Sequence, residues 1–188
     1  TNRTVRAFIM IKRNVQYRHY TDYAHPKDKI KALLSDTLNV TSSKQSTIPY
    51  KVLVLEPDQT DIKDFLYQAT INPPPNDPSI KCDHNHQVKA PWVLLFYSRT
   101  NKNPQGIKLD KEILFIEIGM FCANLTQHCL ELGLHVSYTK CFLSAKNEIW
   151  KDAPVEKPIL ALSIGKGVVD NSLYTQSCIA PRKRPLHT

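Results

Sequence analysis

Basic side chains form two small clusters near the two ends of this 188-residue chain. Lys12, Arg13 and Arg18 lie near its beginning, and the run RKR occupies residues 182–184. Guanidinium and ammonium groups hold phosphate by charge-assisted hydrogen bonds, and clusters of this size suit one compact anion better than a duplex. The chain has only five glycines, and none forms the loop that lets backbone amides bind phosphate. Side chains must therefore hold any phosphorylated ligand.

The formal net charge of +8 keeps a nucleic-acid-binding protein as the weaker alternative. Most lysines are scattered along the chain, as on an ordinary solvated surface. We expect no apolar run of membrane-spanning length, and the N-terminus carries no signal-peptide pattern. The five cysteines are odd in number and lie mostly in apolar contexts, which favours reduced thiols. We expect a soluble cytoplasmic protein with no membrane partner, folded as a single domain over residues 1–188.

One cysteine and two histidines could bind a metal ion. Cys82, His84 and His86 alternate in a proline-rich loop, and a fourth donor from elsewhere would complete a site. Because this spacing matches no common zinc pattern, no metal site is predicted.

The longest predicted helix organises the rest of the chain. From Asp110 onward, apolar residues recur at helical spacing and spread over a wide arc, which indicates a buried central helix. Asp110 can cap its first turn and Gly133 can end it. The next residues, 135–142, alternate like a strand. The order helix, strand, helix, apolar strand predicts an α+β fold with a central mixed or antiparallel sheet and flanking helices.

Shorter patterns place the remaining elements. Helices are predicted at Val5–Lys12, Asp28–Leu38, Asp61–Ala69 and Ala145–Lys151, and strands at 51–56, Ala90–Ser98 and 158–164. The strand at Ala90–Ser98 is too apolar to be an edge strand. Prolines make Asn72–Gln87 a long loop.

Four segments, in this order along the chain, match motifs of one enzyme family. RNVQYRHY (13–20) is similar to a basic motif R-R-S-x-R-x-F, and TSSKQSTIPY (41–50) resembles a turn S-S-x-N-x-Q-P-W. GMFCANLTQHCLELGL (119–134) resembles G-x-x-x-x-N-L-x-L-A-A-x-x-L-G-L, and ILALSIGKG (159–167) with PRKRPL (181–186) resembles a final strand and basic tail. The family is the nitroreductases, FMN-dependent oxidoreductases, and the resemblance covers nearly the whole chain.

The resemblance implies a nitroreductase-like fold that binds FMN at the interface of a homodimer. NADH or NADPH would reduce the flavin, which would then reduce a nitroaromatic, quinone or flavin-like acceptor in a ping-pong exchange. The flavin carries the difficult chemistry, so no catalytic side chain is assigned. The positions that match flavin contacts of the family are Arg13, Asn14, Arg18, Ser42, Ser43, Gln45, Tyr138, Thr139, Lys140, Arg182 and Arg184.

This chain also departs from the family pattern. The first arginine of the opening motif falls on Asn14, Gln45 replaces the usual asparagine, and the loop before the long helix is short. A short loop implies an open site. The alternatives are therefore a flavin-binding or interaction protein of the same fold without turnover, and more remotely the basic nucleic-acid-binding protein.

Overall fold

The core of the fold is an antiparallel sheet. The computed structural model describes residues 17–43, 48–71, 84–99 and 110–168. Within them, β1 (Tyr50–Leu55), β2 (Trp92–Ser98), β3 (His135–Thr139) and β4 (Leu160–Gly165) pair in the order β1-β2-β4-β3. β2 lies between β1 and β4 and is buried over residues 92–97, as its apolar sequence predicted. The α+β fold class is confirmed.

Helices cover both faces of the sheet. α1 (Lys27–Val40) and α3 (Lys111–Glu131) pack on one face, where Ile30, Phe121 and Leu162 belong to one buried cluster. α2 (Thr60–Gln68) and a 3₁₀ turn at His86–Lys89 cover the other face. Two cores therefore share the sheet, and each face must be apolar, which explains the continuous apolar runs of β2 and β4.

α3 begins and ends where its capping residues predict. The Asp110 carboxylate accepts a hydrogen bond from Glu112 N at 3.0 Å. At the other end Gly133 adopts φ 71°, and Leu134 N donates to Cys129 O at 2.8 Å, which closes a Schellman-type turn. The glycine then lets the chain reverse directly into β3.

α3 is buried on the side that faces the sheet, as predicted, and its wide apolar arc continues onto an exposed side. Phe121 and Leu125 are buried, but Phe115, Ile116 and Met120 are 49%, 60% and 36% exposed. By length and composition alone, α3 is apolar enough to cross a membrane, although the sequence analysis predicts no run of that length. Half of the apolar window of this helix is nevertheless buried inside the fold. We call the exposed residues Phe115, Ile116, Gly119, Met120 and Ala123 the α3 stripe.

Other boundaries differ from the predictions by small amounts, with one exception. The segment predicted as a helix at Ala145–Lys151 contains only turns and a 3₁₀ turn, Glu148–Trp150. Its hydrogen bonds span three residues, as from Trp150 N to Asn147 O, and the Trp150 ring packs against Phe65 and Phe142. A segment of about two turns is marginal as a helix, so side-chain packing decides its conformation. The predicted helix Val5–Lys12 lies outside the described residues.

The first described segment, residues 17–21, runs beside the end of β4. Thr21 N donates to Lys166 O at 2.9 Å, and Val168 N donates to His19 O at 3.0 Å. The Tyr17 ring lies against Gly167, at the place where any larger residue would carry its Cβ. This pairing fixes the position of Arg18.

Candidate functional site

An apolar groove opens between α3 and the ends of β3 and β4. Its volume is about 300 Å³. The lining residues are Phe115, Ile118, Gly119, Cys122, Ala123, Tyr138, Lys140, Ile159 and Leu160. A Cβ at Gly119 would meet no atom within 4 Å, so the groove has open space above this glycine. The Lys140 ammonium lies 5.5 Å from the centre of the Phe115 ring and brings positive charge to the lining.

Tyr138 presents its ring to the groove and keeps its proton inside the protein. The Thr126 hydroxyl donates to Cys122 O at 2.7 Å, so the Tyr138 hydroxyl can donate to Thr126 Oγ1 or, at 3.4 Å, to Cys122 O. Both acceptors belong to α3. Burial raises the pKa of Tyr138, which keeps the phenol protonated. The residue thus supplies an aromatic wall rather than an acid.

Thr139 was predicted to contact the same ligand as Tyr138 and Lys140, but its side chain lies on the opposite face of the sheet. Its hydroxyl is fully buried and donates to Gln87 Oε1 at 2.9 Å, and Asn85 Nδ2 donates to it at 3.2 Å. Successive residues of a strand point to opposite faces, so three neighbours cannot all line one groove with their side chains. Only the backbone of Thr139 remains near the groove.

Arg18 is held beside β3 through its neighbour Tyr17. Ser137 Oγ donates to Tyr17 O at 2.8 Å and accepts from Tyr17 N at 3.0 Å. Gln87 Nε2 also donates to Tyr17 O, at 3.0 Å. Ser137 lies two residues before Thr139 on β3, so its side chain is on the same face of the sheet as Thr139 and opposite the groove. The contacts of Tyr17 therefore hold its neighbour Arg18 beside β3 without bringing it to the lining of the groove.

Ser42 and Ser43 lie on the other side of α3. Ser43 Oγ donates to Glu117 Oε2 at 2.8 Å, and Glu117 is only 2% exposed. Successive residues of an α-helix are rotated by about 100°, so Glu117 points away from Gly119 and Cys122 of the groove by well over 90°. One chain therefore does not bring these serines and the groove together.

Glu117 also shapes its surroundings electrostatically. Burial, followed by the negative charge of Glu117, raises the pKa of Tyr50 to about 12. Tyr50 is 5% exposed and packs against Phe96 and Phe121. The tyrosine is therefore a neutral core residue at physiological pH.

Five predicted site residues lie outside the described residues. They are Arg13, Asn14, Gln45, Arg182 and Arg184. Their roles, including the binding of a phosphate by the C-terminal arginines, stay predictions.

The two described histidines of the candidate metal loop have other hydrogen-bonding partners. His84 Nδ1 lies 2.9 Å from Thr70 O, and His86 Nε2 lies 3.2 Å from the Tyr67 hydroxyl. In the described part of the chain, no group of three or more histidine, cysteine, aspartate or glutamate side chains could hold a metal ion. Cys82 is not among the described residues.

The sequence reasoning missed Glu117, Gln87 and Ser137. Glu117 carries a visible signal, because it is the single charged residue inside the apolar run from Ile113 to Cys122. A carboxylate in that place is rarely buried without a partner. Gln87 and Ser137 carry no local signal, since their partners lie far away in sequence.

Solved structures share this fold, although neither a protein-family model nor a curated protein matches the sequence. A nitroreductase family protein from Clostridium novyi NT is 16% identical with a TM-score of 0.61, covering 85% of this chain and 83% of its own. A Desulfovibrio desulfuricans protein, provisionally described as a nitroreductase and solved in complex with FMN, is 15% identical with a TM-score of 0.60, covering 82% and 84%.

A third structure comes from Clostridium acetobutylicum and is provisionally described as an NADH oxidase. It is 17% identical with a TM-score of 0.55, covering 84% of this chain and 86% of its own. Identities this low support a shared fold. The chain therefore has a nitroreductase-like fold, and the resemblance inferred from its motifs is confirmed at that level.

Proposed function

We propose that this protein is an FMN-dependent oxidoreductase that works as a homodimer and takes electrons from NADH or NADPH. The observation that carries the proposal is the apolar groove beside β3, with Tyr138 and Lys140 in its lining, in a fold shared with an FMN-bound protein. The acceptor we propose is a small planar molecule such as a nitroaromatic, a quinone or a second flavin.

The lining of the groove fits a flavin ring. Its volume of about 300 Å³ lies at the lower end of the range of small-molecule sites, and its lining is mostly apolar. The Tyr138 ring and the small residues Gly119 and Ala123 form walls against which a flat ring can pack. FMN, when bound, supplies hydride acceptance and donation. Lys140 favours a ligand whose ring gains negative charge on reduction.

A second group of side chains is needed for the phosphate. Arg18 is held beside β3 by the hydrogen bonds of Ser137 to Tyr17. We propose that Arg18, Arg182 and Arg184 bind the phosphate and the polar side of the flavin, because a guanidinium group forms paired hydrogen bonds with phosphate oxygens. Arg13 and Asn14 would complete the set.

A second copy of the chain completes the site. The α3 stripe exposes Phe115, Ile116 and Met120, and an apolar surface of this kind marks an interface. Phe115 and Gly119 belong both to the stripe and to the groove. A partner that covers the stripe would therefore also close the open side of the groove. We propose that the partner also brings Ser42, Ser43 and Gln45 to the flavin.

The interface can be tested by the Ile116→Glu variant. A carboxylate in the stripe should convert a dimer into a monomer, measured by analytical ultracentrifugation, and should weaken FMN binding. Glu131→Gln, at the exposed end of α3, is the matched control. A chain that sediments as a monomer before any substitution would contradict the homodimer.

The function itself is tested by the visible absorption spectrum of the purified protein. Flavin absorption, FMN released by heating, and bleaching by NADH or NADPH under anaerobic conditions would support the proposal. A yellow protein that neither nicotinamide reduces would favour a flavin-binding protein without turnover. A colourless protein that gains no flavin when mixed with FMN would refute both readings.

A further inference from the structure

Glu117 is a buried carboxylate on a helix whose neighbouring positions are apolar. It is 2% exposed and lies between Ile116 and Ile118 in α3. Removing a carboxylate from water costs several kcal/mol unless its environment compensates. A residue that is this expensive to bury and lies outside the groove calls for a specific role.

One partner of Glu117 is the hydroxyl of Ser43. Ser43 Oγ donates to Glu117 Oε2 at 2.8 Å and accepts a hydrogen bond from Ile48 N at 3.0 Å. A serine hydroxyl can donate only one hydrogen bond, and Ser43 donates it to Glu117. Ser43 therefore cannot donate to a ligand while this contact exists. Its neighbour Ser42 is exposed.

The backbone of Ile48, the residue that donates to Ser43, is strained. Ile48 has φ 37°, a left-handed conformation that a β-branched residue rarely adopts, and Pro49 follows it. Such conformations persist when the surrounding contacts determine them. Ser43 supplies one such contact by accepting the Ile48 N–H. Glu117 accepts the hydrogen bond of Ser43, so the carboxylate is linked through this serine to the strained residue Ile48.

A second contact from α3 fixes the start of the turn. Asn124 Nδ2 donates to Thr41 Oγ1 at 3.0 Å. Asn124 is seven residues, or about two turns, after Glu117 and so lies on the same side of the helix. Ser42 is thus flanked by two residues, Thr41 and Ser43, that are both tied to α3.

We propose that Glu117 is a positioning residue of the flavin site, which fixes Ser43 so that Ser42 is the hydroxyl offered to the flavin of the other subunit. This inference rests on the proposed function and deepens it, because it separates two neighbouring serines into a contact and a support. Glu117 itself touches no ligand. It acts through its hydrogen bond with Ser43.

A double-mutant cycle on FMN affinity tests the proposal. The variants are Glu117→Leu, which removes the acceptor of the Ser43 hydrogen bond, Ser42→Ala and their combination. The dissociation constant is measured by the quenching of FMN fluorescence. Ser42→Ala should weaken binding about tenfold, as expected for one lost hydrogen bond. Glu117→Leu should weaken binding by a similar factor in the wild-type background and by less than about twofold in the Ser42→Ala background, because the contact it positions is already absent.

The controls separate positioning from general damage. Glu131→Gln removes a charge from the exposed end of α3 and should leave FMN affinity unchanged. Should Glu117→Leu fail to fold, as judged by circular dichroism, Ser43→Ala takes its place in the same cycle. Equal losses in both backgrounds would overturn the positioning role.

The outcomes also distinguish this inference from the function on which it rests. A wild-type protein that binds FMN, with a Glu117→Leu variant of unchanged affinity, would refute the positioning role and leave the function standing. A wild-type protein that binds no FMN would remove both.

Discussion

Two serines that face each other across β3 and β4 should respond in opposite ways to the same substitution. Ser137 and Ser163 form a register pair, and both are fully buried. Ser137 Oγ makes two hydrogen bonds to the Tyr17 backbone, whereas Ser163 Oγ has no hydrogen-bond partner among the described residues. Each net hydrogen bond contributes about 1 kcal/mol, so Ser137→Ala should lower the free energy of unfolding by about 2 kcal/mol.

Ser163→Ala removes a buried hydroxyl that gains nothing from its surroundings. The free energy of unfolding should stay the same or rise by up to about 1 kcal/mol. The two variants should therefore differ by about 2 to 3 kcal/mol, or roughly 4 to 12 °C in Tm for a chain of this length. Urea and thermal unfolding of the two proteins, side by side, measure this difference. Equal destabilisation by both substitutions would refute the hydrogen-bond assignment.

Three further predictions follow from the groove and from β3. Gly119→Ala should raise the free energy of unfolding by up to about 1 kcal/mol, because alanine favours the helix and its Cβ meets no atom. Gly119→Phe should instead fill the groove and block FMN binding, which is measured by fluorescence. Tyr138→Phe should keep FMN affinity, since the phenol proton is directed to α3, while Tyr138→Ala should lose the ring and weaken binding at least tenfold; equal losses would contradict the wall role. Burial lowers the pKa of His135, and its Nδ1 accepts a hydrogen bond from Gly167 N. The neutral ring therefore stabilises the fold above pH 6.5, and this stability is lost as the pH falls through the lowered pKa. Thermal unfolding between pH 7.5 and pH 5 should show a steeper decline for the wild type than for His135→Phe, and parallel curves would contradict the assignment.

Local chemistry was sufficient to predict most elements of the fold. Asp110 and Gly133 fixed the ends of α3 because caps depend on neighbouring residues only. The exposed stripe on α3 was missed because the identity of an apolar residue does not show whether it faces the sheet or solvent. The failed helix at Ala145–Lys151 was too short for its pattern to decide its structure.

The candidate site was predictable in part. Tyr138 and Lys140 do lie together at the groove, but Thr139 points to the other face. Strand alternation alone could have separated the three. The link from Gln87 through Tyr17 to the position of Arg18 was beyond sequence reasoning, because it joins residues that only the folded sheet brings into contact.

Gly167 sets a narrow limit on how this protein can be redesigned. The Tyr17 ring occupies the place where any other residue would put its first side-chain carbon, and Tyr20 and Pro91 crowd Gly165 in the same way, each at 2.9 Å. Even alanine at Gly167 would push the ring away and carry Arg18 with it. A library that varies this half-exposed position as freely as an ordinary surface site should therefore lose most of its members, and it would lose them through a displaced N-terminal segment rather than through a damaged core.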